Sequence, residues 1–554
     1  MQLSTRHSAA CLALLGSLAC GGDVVSPPPP PPPGPVAELN CAGVTALSLS
    51  VGQSSVVAID GGSQCVRLTA QSGSAEYLVV ATSVAAAPTQ TGVLGDFLIR
   101  GRSAVATTMA SPTSVMPTAA EEPAAAFHGR LREIERQAAA RPRLARRTFA
   151  ARTTGIDDLV SNRSFNVCAS VACAEFSAVP AHLAFGNGAV AIYSEDNLPA
   201  GGYDESEVAR TGLLFSESIY PLDTTAFGRE SDVDGNGRVI VLLTKAVNRL
   251  TPVCLGGIIV GYFLGTDLLP AEPGSNGAEI LYIGVPDPNG EAGCRVTKDF
   301  TTRLFAPTVM HELQHVISFN QHALLRSGKV EQGWLNEALS HFAEELGGRS
   351  IANDQCYLHD CLSQFAVPTL TNAYRYLMAP DQSFLVYPIG STGTMSERGA
   401  AWLFLRWLAD HYGNSGFTRR LVETAQTGVA NIGQLVNVPF ANLVAEWQLS
   451  NWVDDLPGFH SDNPRLGYSS WNLRATFGSF YAQARSLYPR QFPLVPDSLT
   501  TNFDLGGVLR GGSGRYLRII VDAAASPTDL RLSAPDRGPL SVDLSAALAV
   551  VRIR

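Results

Sequence analysis

Stretches in which apolar and polar residues alternate occur near both ends of the chain. Residues 36–110 contain "TALSLSVGQSSVVAI", "AEYLVVATS" and "GDFLIRG", and residues 476–554 contain "YLRIIVDA" and "AVVRIR". A period of two is typical of half-buried strands, and turn residues separate these stretches at about the spacing found in small β-sandwiches. The pattern predicts an N-terminal β domain over 36–110 and a C-terminal β domain over 476–554.

Residues 111–160 follow neither a strand nor a core-helix pattern throughout. "SPTSVMPTAAEEPAAA" is loop-like, and "FHGRLREIERQAAARPRLARR" is a basic helix former that Pro142 interrupts. We interpret this region as a linker with a basic helix or as the hinge of a propeptide; in the second case we expect a cut near residues 141–160 that releases a core from about residue 161 onward.

Residues 161–475 mix both periods. "DESEVARTGLLFSESIY" (204–220) predicts a helix, while "GRVIVLLT" (237–244) and "GAEILYIGV" (277–285) predict buried strands. A histidine-bearing helix follows, with Pro307 expected near its first turn. The order predicts a multidomain chain whose central α+β domain has a mixed sheet and a helical lobe.

Length and charge limit the classes of function. A chain of 554 residues exceeds a single core, and its net charge of −9 provides no basic surface for nucleic acid. No apolar run reaches the roughly 18–20 residues that span a bilayer. We expect a monomer whose partner is a protein or peptide substrate.

The first residues resemble an export signal rather than part of the fold. "MQLSTRHSAACLALLGSLACGG" has a weakly basic start, a short apolar core and small residues before Cys20, as in a bacterial lipoprotein signal over residues 1–20. The proline run within 21–35 predicts a stiff, extended linker. We therefore expect an exported bacterial protein. If Cys20 carries a lipid, the protein is periplasmic or surface-exposed and that lipid is its sole membrane contact. If the segment is a plain signal peptide, the protein is extracellular.

The cysteines agree with export. Ten are present; Cys11 lies in the signal, Cys20 is the lipidation candidate, and eight remain. An even number in an exported chain predicts disulfides. Sequential pairing keeps each bond within one unit and gives Cys41–Cys65, Cys168–Cys173, Cys254–Cys294 and Cys356–Cys361.

A candidate metal site lies in "TVMHELQHVISFNQH" (308–322). His311 and His315 are four residues apart, so on a helix their imidazoles lie about 6 Å apart along the axis and can converge on one ion. Catalytic zinc normally has three protein ligands, so a third ligand is required. His322 does not fit the metzincin pattern, because Ser318 and Gln321 stand where that pattern needs glycine and histidine.

The third ligand is predicted in "GWLNEALSHFAEEL" (333–346). Glu337, His341 and Glu344 share one helix face at i, i+4 and i+7, next to apolar residues. A carboxylate on an apolar helix requires a partner, and a zinc ion with its histidines provides one. We expect Glu337 to bind the metal with Glu344 behind it, and Glu345 to be solvated.

The paired motifs "HELQHVISFN" and "WLNEALSHFAEEL" resemble the gluzincin clan of metallopeptidases, and more narrowly the hyicolysin-type family. The resemblance covers roughly residues 165–460. It implies a zincin-like fold, Zn²⁺ held by His311, His315 and Glu337, and peptide hydrolysis with Glu312 as the general base.

The group that stabilises the oxyanion is left open. Aminopeptidases of this clan carry a tyrosine before an apolar helix, and here Ser396 stands at that position in "TMSERGAAWLFLRWLADHYG" (394–413). Tyr387, Tyr376 and His341 are the alternatives. No segment resembles the one that holds a free amino terminus in those aminopeptidases, which favours an endopeptidase.

A second cation loop is suggested by "SDVDGNGRVIVLL" (231–243). Asp232, Asp234 and Asn236 are spaced like the first ligands of an EF-hand, which would bind Ca²⁺. The twelfth position is Leu243 rather than glutamate, so the loop is not a complete EF-hand. A tight Asp/Gly turn before a strand is the alternative.

Two functions compete at this point. The first is an exported or surface-anchored zinc endopeptidase. The second is a surface binding protein or adhesin whose zincin domain is inactive. The presence of His311, Glu312, His315 and Glu337 favours the endopeptidase.

Overall fold

The computed structural model describes residues 39, 41, 44, 46–59, 65–70, 73–103, 123–141, 159–254, 257–500 and 502–554. The predicted signal peptide, the lipidation site Cys20 and the proline-rich segment lie outside these residues. So does the basic run that follows Arg141.

Strands predominate towards both ends of the chain, and helices predominate between them. Before the first helix lie β1 (Ala46–Leu47), β2 (Ser54–Ala58), β3 (Cys65–Leu68), β4 (Ser74–Ser83) and β5 (Leu94–Ser103). The central part contains α1 (Pro123–Ala139), β6 (Asn162–Cys168), β7 (Phe176–Gly186), β8 (Val190–Glu195), α2 (Glu205–Leu214), α3 (Tyr220–Phe227), β9 (Val239–Leu243), α4 (Lys245–Arg249), β10 (Gly261–Phe263) and β11 (Ile280–Ile283). Next come α5 (Lys298–Phe319), α6 (Gly333–Ser350), α7 (Cys361–Met378), α8 (Met395–Tyr412), α9 (Asn414–Val422), α10 (Gly428–Val436), α11 (Phe440–Val453) and α12 (Leu473–Gln483). The last elements are β12 (Asp497–Leu499), β13 (Phe503–Arg510), β14 (Gly514–Asp522), β15 (Thr528–Ser533) and β16 (Ala546–Arg552).

The central sheet is mixed and has the strand order β10-β11-β9-β8-β7-β6. Strands β8, β9 and β11 run parallel, and β10 pairs antiparallel with β11 at one edge. Strands β9 ("VIVLL") and β11 ("ILYI") are buried along their whole length, as expected for parallel strands covered on both faces. Strand β10 is therefore an edge strand of the sheet, and α5 packs against it.

The terminal strands form one β-sandwich, not two β domains. One sheet has the order β1-β3-β15-β5-β13 and the other β12-β14-β4-β16-β2, so each sheet combines strands from both ends of the chain. The predicted separation into an N-terminal and a C-terminal β domain is wrong. Alternating patterns identify strands, but neither end has enough strands to bury both faces of its own sheet, and the two ends complete one core together.

The sandwich is joined to the helical lobe through its second sheet. In β4, Tyr77 and Val79 point into the sandwich core, whereas Leu78 and Val80 belong to the helical core. Because successive side chains of a strand point to opposite faces, β4 is buried on both sides. The region from Cys41 to Arg554 accordingly forms one compact unit.

Helix α1 is part of this unit rather than of a linker. Its apolar residues Ala124, Phe127 and Leu131 are buried in the core beside the central sheet. The Phe127 ring packs edge-on against Tyr262 of β10, with ring centroids 5.2 Å apart. The prediction of a helix is confirmed, but the prediction that the segment is only a linker is wrong for residues 123–141.

Helix α5 begins earlier than the sequence pattern predicted. Thr297 caps it by accepting a hydrogen bond from Phe300 N, so Pro307 lies in the helix interior and not in the first turn. Proline cannot donate to the carbonyl four residues before it, which is that of Arg303. That carbonyl instead accepts a hydrogen bond of 2.9 Å from Gln364 Nε2.

The four predicted disulfides are confirmed, each joining neighbours in the sequence: Cys41–Cys65, Cys168–Cys173, Cys254–Cys294 and Cys356–Cys361. Across the described part of the chain, every helix falls short of the length or the apolar character that crossing a membrane requires.

Candidate metal centre

Two packed helices bring the predicted metal ligands together. Helix α5 carries His311 and His315 one turn apart, and α6 carries Glu337 on the side that faces α5. From Val309 to Ala323 every residue is buried, as expected for a helix that is enclosed on all sides. The two helices thus place three polar side chains in an apolar interior.

The three ligand atoms converge. Glu337 Oε2 lies 3.6 Å from His311 Nε2, and Glu337 Oε1 lies 3.7 Å from His315 Nε2. All three groups offer atoms within 4.8 Å of one another. Tetrahedral zinc with bonds of about 2.1 Å needs ligand atoms about 3.4 Å apart, so the set fits this ion.

A second residue pairs with Glu337 from α8. Arg398 Nη1 lies 3.0 Å from Glu337 Oε2, and both side chains are buried. Burial acts to raise the pKa of Glu337, but the charge of Arg398 and the proximity of His311 lower it well below the usual value. Glu337 is therefore a carboxylate and not a neutral acid.

His311 is held from behind by Glu344. The Glu344 carboxylate accepts a hydrogen bond of 2.6 Å from His311 Nδ1, which turns Nε2 towards Glu337. Burial acts to lower the pKa of His311, but the nearby carboxylate of Glu337 and the hydrogen bond to Glu344 outweigh it and raise the pKa to about 10. Burial acts to raise the pKa of Glu344, but the charge of His341 and the bond from His311 lower it to about 2.

His315 lies in a different environment. Its ring is within 3.2 Å of Ser340 Oγ, whose hydroxyl donates to Gln314 Oε1 at 2.7 Å. Burial, with the positive charge of Arg132 next, lowers the pKa of His315 well below its ordinary value. A neutral imidazole is the form that binds a metal ion.

Glu312 stands beside the ligands and contacts the edge strand. Its Oε2 accepts a hydrogen bond of 2.9 Å from the backbone N–H of Phe263 in β10. Burial raises the pKa of Glu312, although the charge of His311 opposes this. A buried carboxylate with a raised pKa, next to a metal site, is suited to accept a proton.

Two of the remaining site candidates lie beside the centre. His341 is close to His311, with ring centroids 5.1 Å apart, and its Nδ1 contacts Glu344 and Thr369. The Tyr387 hydroxyl is buried without a hydrogen-bond partner in the described residues, and its ring packs against Gly393, next to Thr392, which accepts a hydrogen bond from Arg398.

Tyr376 does not belong to the site. Its ring stacks on Trp447 at 5.8 Å, and its hydroxyl pairs with Gln448 beneath the sandwich. The interpretation of Glu345 as a solvated residue is also wrong. Glu345 is fully buried, pairs with Arg349 at 2.8 Å, and accepts hydrogen bonds from two tryptophans.

Two functional candidates were not found from the sequence. Arg398 lies within the quoted segment "TMSERGAAW", but spacing does not reveal that it reaches Glu337. Thr369, on α7, donates to Glu344 Oε2 at 3.1 Å, and no motif signals it. An arginine followed by the apolar run "GAAWLFL" of α8 is the signal that could have pointed to Arg398, since a charged side chain next to such a run requires a partner.

The second predicted cation loop forms a separate group of possible ligands. The carboxylates of Asp232 and Asp234 approach that of Glu279 to within 4.8 Å. The Asn236 side chain donates to Asp234 Oδ2 at 2.7 Å. Glu279, which precedes β11, was not among the predicted ligands.

Two imidazoles and one carboxylate, with a glutamate beside them, form the donor set of catalytic zinc sites in hydrolases. No family model matches the chain. The chain is 28% identical over 192 residues to the neutral metalloprotease ShpI of Staphylococcus hyicus, a match that covers 31% of this chain and 42% of that protein. The chain thus spans less than half the length of this relative, and the distant, partial similarity supports a metallopeptidase family.

Proposed function

We propose that the chain is a zinc-dependent endopeptidase of the gluzincin clan and of the hyicolysin type, acting on protein or peptide substrates. The observation that carries the proposal is the convergence of His311, His315 and Glu337 with Glu312 beside them. The similarity to a neutral metalloprotease supports the same reaction class.

The residues of the centre have separate roles in this proposal. His311, His315 and Glu337 hold the zinc ion, which when bound lowers the pKa of a water molecule and polarises a peptide carbonyl. Glu312 accepts the proton of the attacking water and returns it to the leaving amine. The Phe263 N–H holds one oxygen of Glu312 in position for this transfer.

Oxyanion stabilisation is proposed for Tyr387 or His341. The Tyr387 hydroxyl is a donor with no partner in the described residues, and the same holds for His341 Nε2. A donor held ready in a dry site stabilises developing negative charge far better than one in water. Tyr387 is the stronger candidate, because neutral tyrosine always carries a proton to donate.

Export remains part of the proposal. Four disulfides are the chemistry of an oxidising compartment and agree with a secreted or surface-anchored enzyme, with Cys20 as the lipid attachment site. Mass spectrometry of the mature amino terminus tests this. An unmodified terminus elsewhere than Cys20 removes the lipid anchor and leaves export intact.

Zinc content and turnover together test the activity. The purified chain should hold one zinc ion and cleave an unstructured protein such as casein, and a zinc chelator should abolish cleavage reversibly. Stoichiometric zinc without hydrolysis, in the intact chain and in the chain cut on both sides of α1, would instead support the inactive binding protein.

A further inference from the structure

Acidic side chains from the segments that precede two neighbouring strands meet at one end of the central sheet. Asp232, Asp234 and Asn236 lie in the loop before β9, and Glu279 directly precedes β11. The two strands are parallel neighbours, with Ile240 opposite Ile280, so both begin at the same end of the sheet.

The Glu279 side chain is buried, and one of its two carboxylate oxygens has no hydrogen-bond donor in the described part of the chain. Its side chain has no exposed surface, and its Oε1 accepts hydrogen bonds from Ser231 Oγ at 2.5 Å and from Val233 N at 3.0 Å. Its Oε2 is buried and has no hydrogen-bond donor in the described part of the chain, and the same is true of Asp232 Oδ2. Leaving a buried carboxylate oxygen without a donor is costly, and a bound cation removes that cost.

Glu279 forms no ion pair with a lysine, arginine or histidine among the described residues. A cationic group approaches the cluster at Arg163, whose Nη1 lies 3.8 Å from Asp234 Oδ2, at the outer side of the loop. Three carboxylates thus share one small volume, and the ion pair with Arg163 reaches only Asp234. Oxygen-only donors of this kind suit Ca²⁺ and not the softer transition metals.

We infer that Asp232, Asp234, Asn236 and Glu279 form a calcium site, in which Glu279 replaces the glutamate at the twelfth position of an EF-hand loop. In this chain that position is Leu243, which is buried in β9 because the chain continues as a strand and not as a helix. The neighbouring strand supplies the missing carboxylate. The ion joins the starts of β9 and β11 and stabilises the sheet.

Calcium titration of the full chain tests the site. The parent carries Glu312→Gln to prevent self-cleavage, and is stripped of metal and reloaded with zinc. Calorimetry should show one saturable Ca²⁺ site, and Ca²⁺ should raise the Tm. Glu279→Gln and Asp232→Asn should each weaken binding by at least about tenfold, because each removes one charged ligand.

The stability of Glu279→Gln with and without Ca²⁺ provides a second test. Without Ca²⁺, Glu279→Gln should be at least as stable as the parent, because it removes a buried charge, but Ca²⁺ should no longer stabilise it. Glu230→Gln, in the same loop but paired with Tyr220, is the matched control and should bind Ca²⁺ like the parent. Absence of saturable binding at millimolar Ca²⁺, or unchanged affinity in both site variants, would overturn the inference.

A different observation concerns helix α1, which lies against the metal centre. Its residues His128, Arg132 and Glu135 are spaced i, i+4 and i+7 and share one face. Arg132 contacts Phe263, the residue whose N–H donates to the proposed general base Glu312. This face of α1 therefore lies beside the general base.

Helix α1 also occupies the edge of the central sheet. Arg132 Nη2 donates to the Phe263 carbonyl at 2.9 Å, and Glu135 Oε1 accepts from Gly265 N at 2.9 Å. Phe263 is the last residue of β10, and Gly265 begins the short helical turn that follows the strand. The backbone of an edge strand is where an extended peptide adds to a sheet, and α1 occupies the end of that strand.

The loop 390–392 is bound by the same helix. Thr392 Oγ1 donates to the Ala125 carbonyl at 3.1 Å, and Arg398, the partner of Glu337, donates to the Thr392 carbonyl at 3.1 Å. Gly129 passes so close to the loop that a Cβ there would lie 2.8 Å from the Gly390 carbonyl oxygen. Helix α1 thus spans the space between β10 and the 390–392 loop.

We propose that α1 occupies the substrate cleft and keeps the intact chain latent, an inference that rests on the proposed peptidase function. A peptide reaching Glu312 along β10 meets Arg132 and Glu135 at the positions that it needs. Displacement of α1 frees the Phe263 carbonyl and Gly265 N–H for substrate.

The shared sandwich limits how α1 can leave. Strands β2–β5 precede α1 but lie in the same sheets as β12–β16. A single cut in the basic run "RPRLARR" (141–147) therefore does not release a separate core from residue 161 onward. It frees the carboxyl end of α1, while β2–β5 stay bound through the sandwich, and a further cut between β5 and α1 releases the helix alone.

A wedge variant tests latency without any cut. Gly129→Leu places a side chain against the Gly390 carbonyl and should push α1 out of the cleft. We expect turnover of a short fluorogenic peptide to rise at least about tenfold, because an open state that makes up at most about a tenth of the parent would become the main state in the variant. Ala126→Leu, on the exposed side of the same helix, is the control and should leave turnover unchanged.

A binding measurement separates this inference from the proposed function. All proteins carry Glu312→Gln, and the probe is a peptide hydroxamate that binds zinc. The probe should bind the Gly129→Leu variant at least about tenfold more tightly than the intact parent. It should bind equally tightly to a chain that has been cut on both sides of α1 at inserted protease sites. Equal affinity and equal turnover in the intact and cut chains would overturn latency, while leaving the peptidase intact. Zinc without turnover in any form would overturn the peptidase.

Discussion

Replacement of Glu337 by glutamine tests the third metal ligand most directly. The change keeps the size of the side chain but removes its negative charge, which in the structure meets Arg398 at 3.0 Å and two imidazoles at 3.6 and 3.7 Å. Two histidines then remain where catalytic zinc normally has three protein ligands.

The expected loss can be graded by distance from the metal. Loss of a group that only supports a ligand costs about 10–100-fold in affinity, so Glu344→Gln should fall in that range. Glu337→Gln removes a ligand itself and should cost more. Its effect on folding is separate, because breaking one partner of a buried ion pair costs about 3–5 kcal/mol.

Glu345→Gln supplies the matched control for folding. Glu345 lies on the same helix, is equally buried, and pairs with Arg349 and Arg406, but it does not contact the histidines. We expect a loss of stability of similar size with unchanged zinc affinity.

Competition with a chromogenic zinc chelator measures affinity, and urea unfolding measures stability. If Glu337→Gln holds zinc as tightly as the parent, Glu337 is not a ligand and the reasoning fails. If Glu345→Gln loses zinc to the same extent, the losses report unfolding and not coordination.

Three further predictions concern catalysis and stability. Glu312→Gln should retain stoichiometric zinc but lose about 10²–10⁴-fold in turnover, because it removes the proton acceptor; metal analysis and peptide hydrolysis check this. Tyr387→Phe should lower kcat with little change in KM if its hydroxyl meets the oxyanion, and steady-state kinetics at several peptide concentrations would show an unchanged kcat if it does not. Burial raises the pKa of Glu331 to about 8 from 4.5, so the folded state retains a proton that the unfolded chain has lost, and stability falls as the pH rises towards 8. Between pH 6.5 and 8 the free energy of unfolding of the parent should fall by about 2 kcal/mol, at about 1.4 kcal/mol per pH unit, and Glu331→Gln should remove this fall. Urea unfolding at the two pH values measures it. An equal fall in the parent and in the variant would contradict the prediction.

Local patterns were sufficient for the features that depend on a single element. The spacing of His311 and His315 places both on one helix face, and the position of Glu337 on an apolar helix indicates a buried carboxylate. The cysteine pairs are near enough in sequence that loop closure favours the sequential disulfides.

Only the tertiary structure decided which faces meet. A period of two identifies β4 and β16 as strands, but it does not show that they are neighbours in one sheet, since pairing depends on contacts between distant parts of the chain. For the same reason Glu279 joins the Asp232 loop only through the parallel pairing of β9 and β11. Arg398 reaches Glu337, and Arg132 of α1 reaches the Phe263 carbonyl, because buried charges and unpaired backbone groups find partners wherever packing brings them, at no fixed spacing in the sequence.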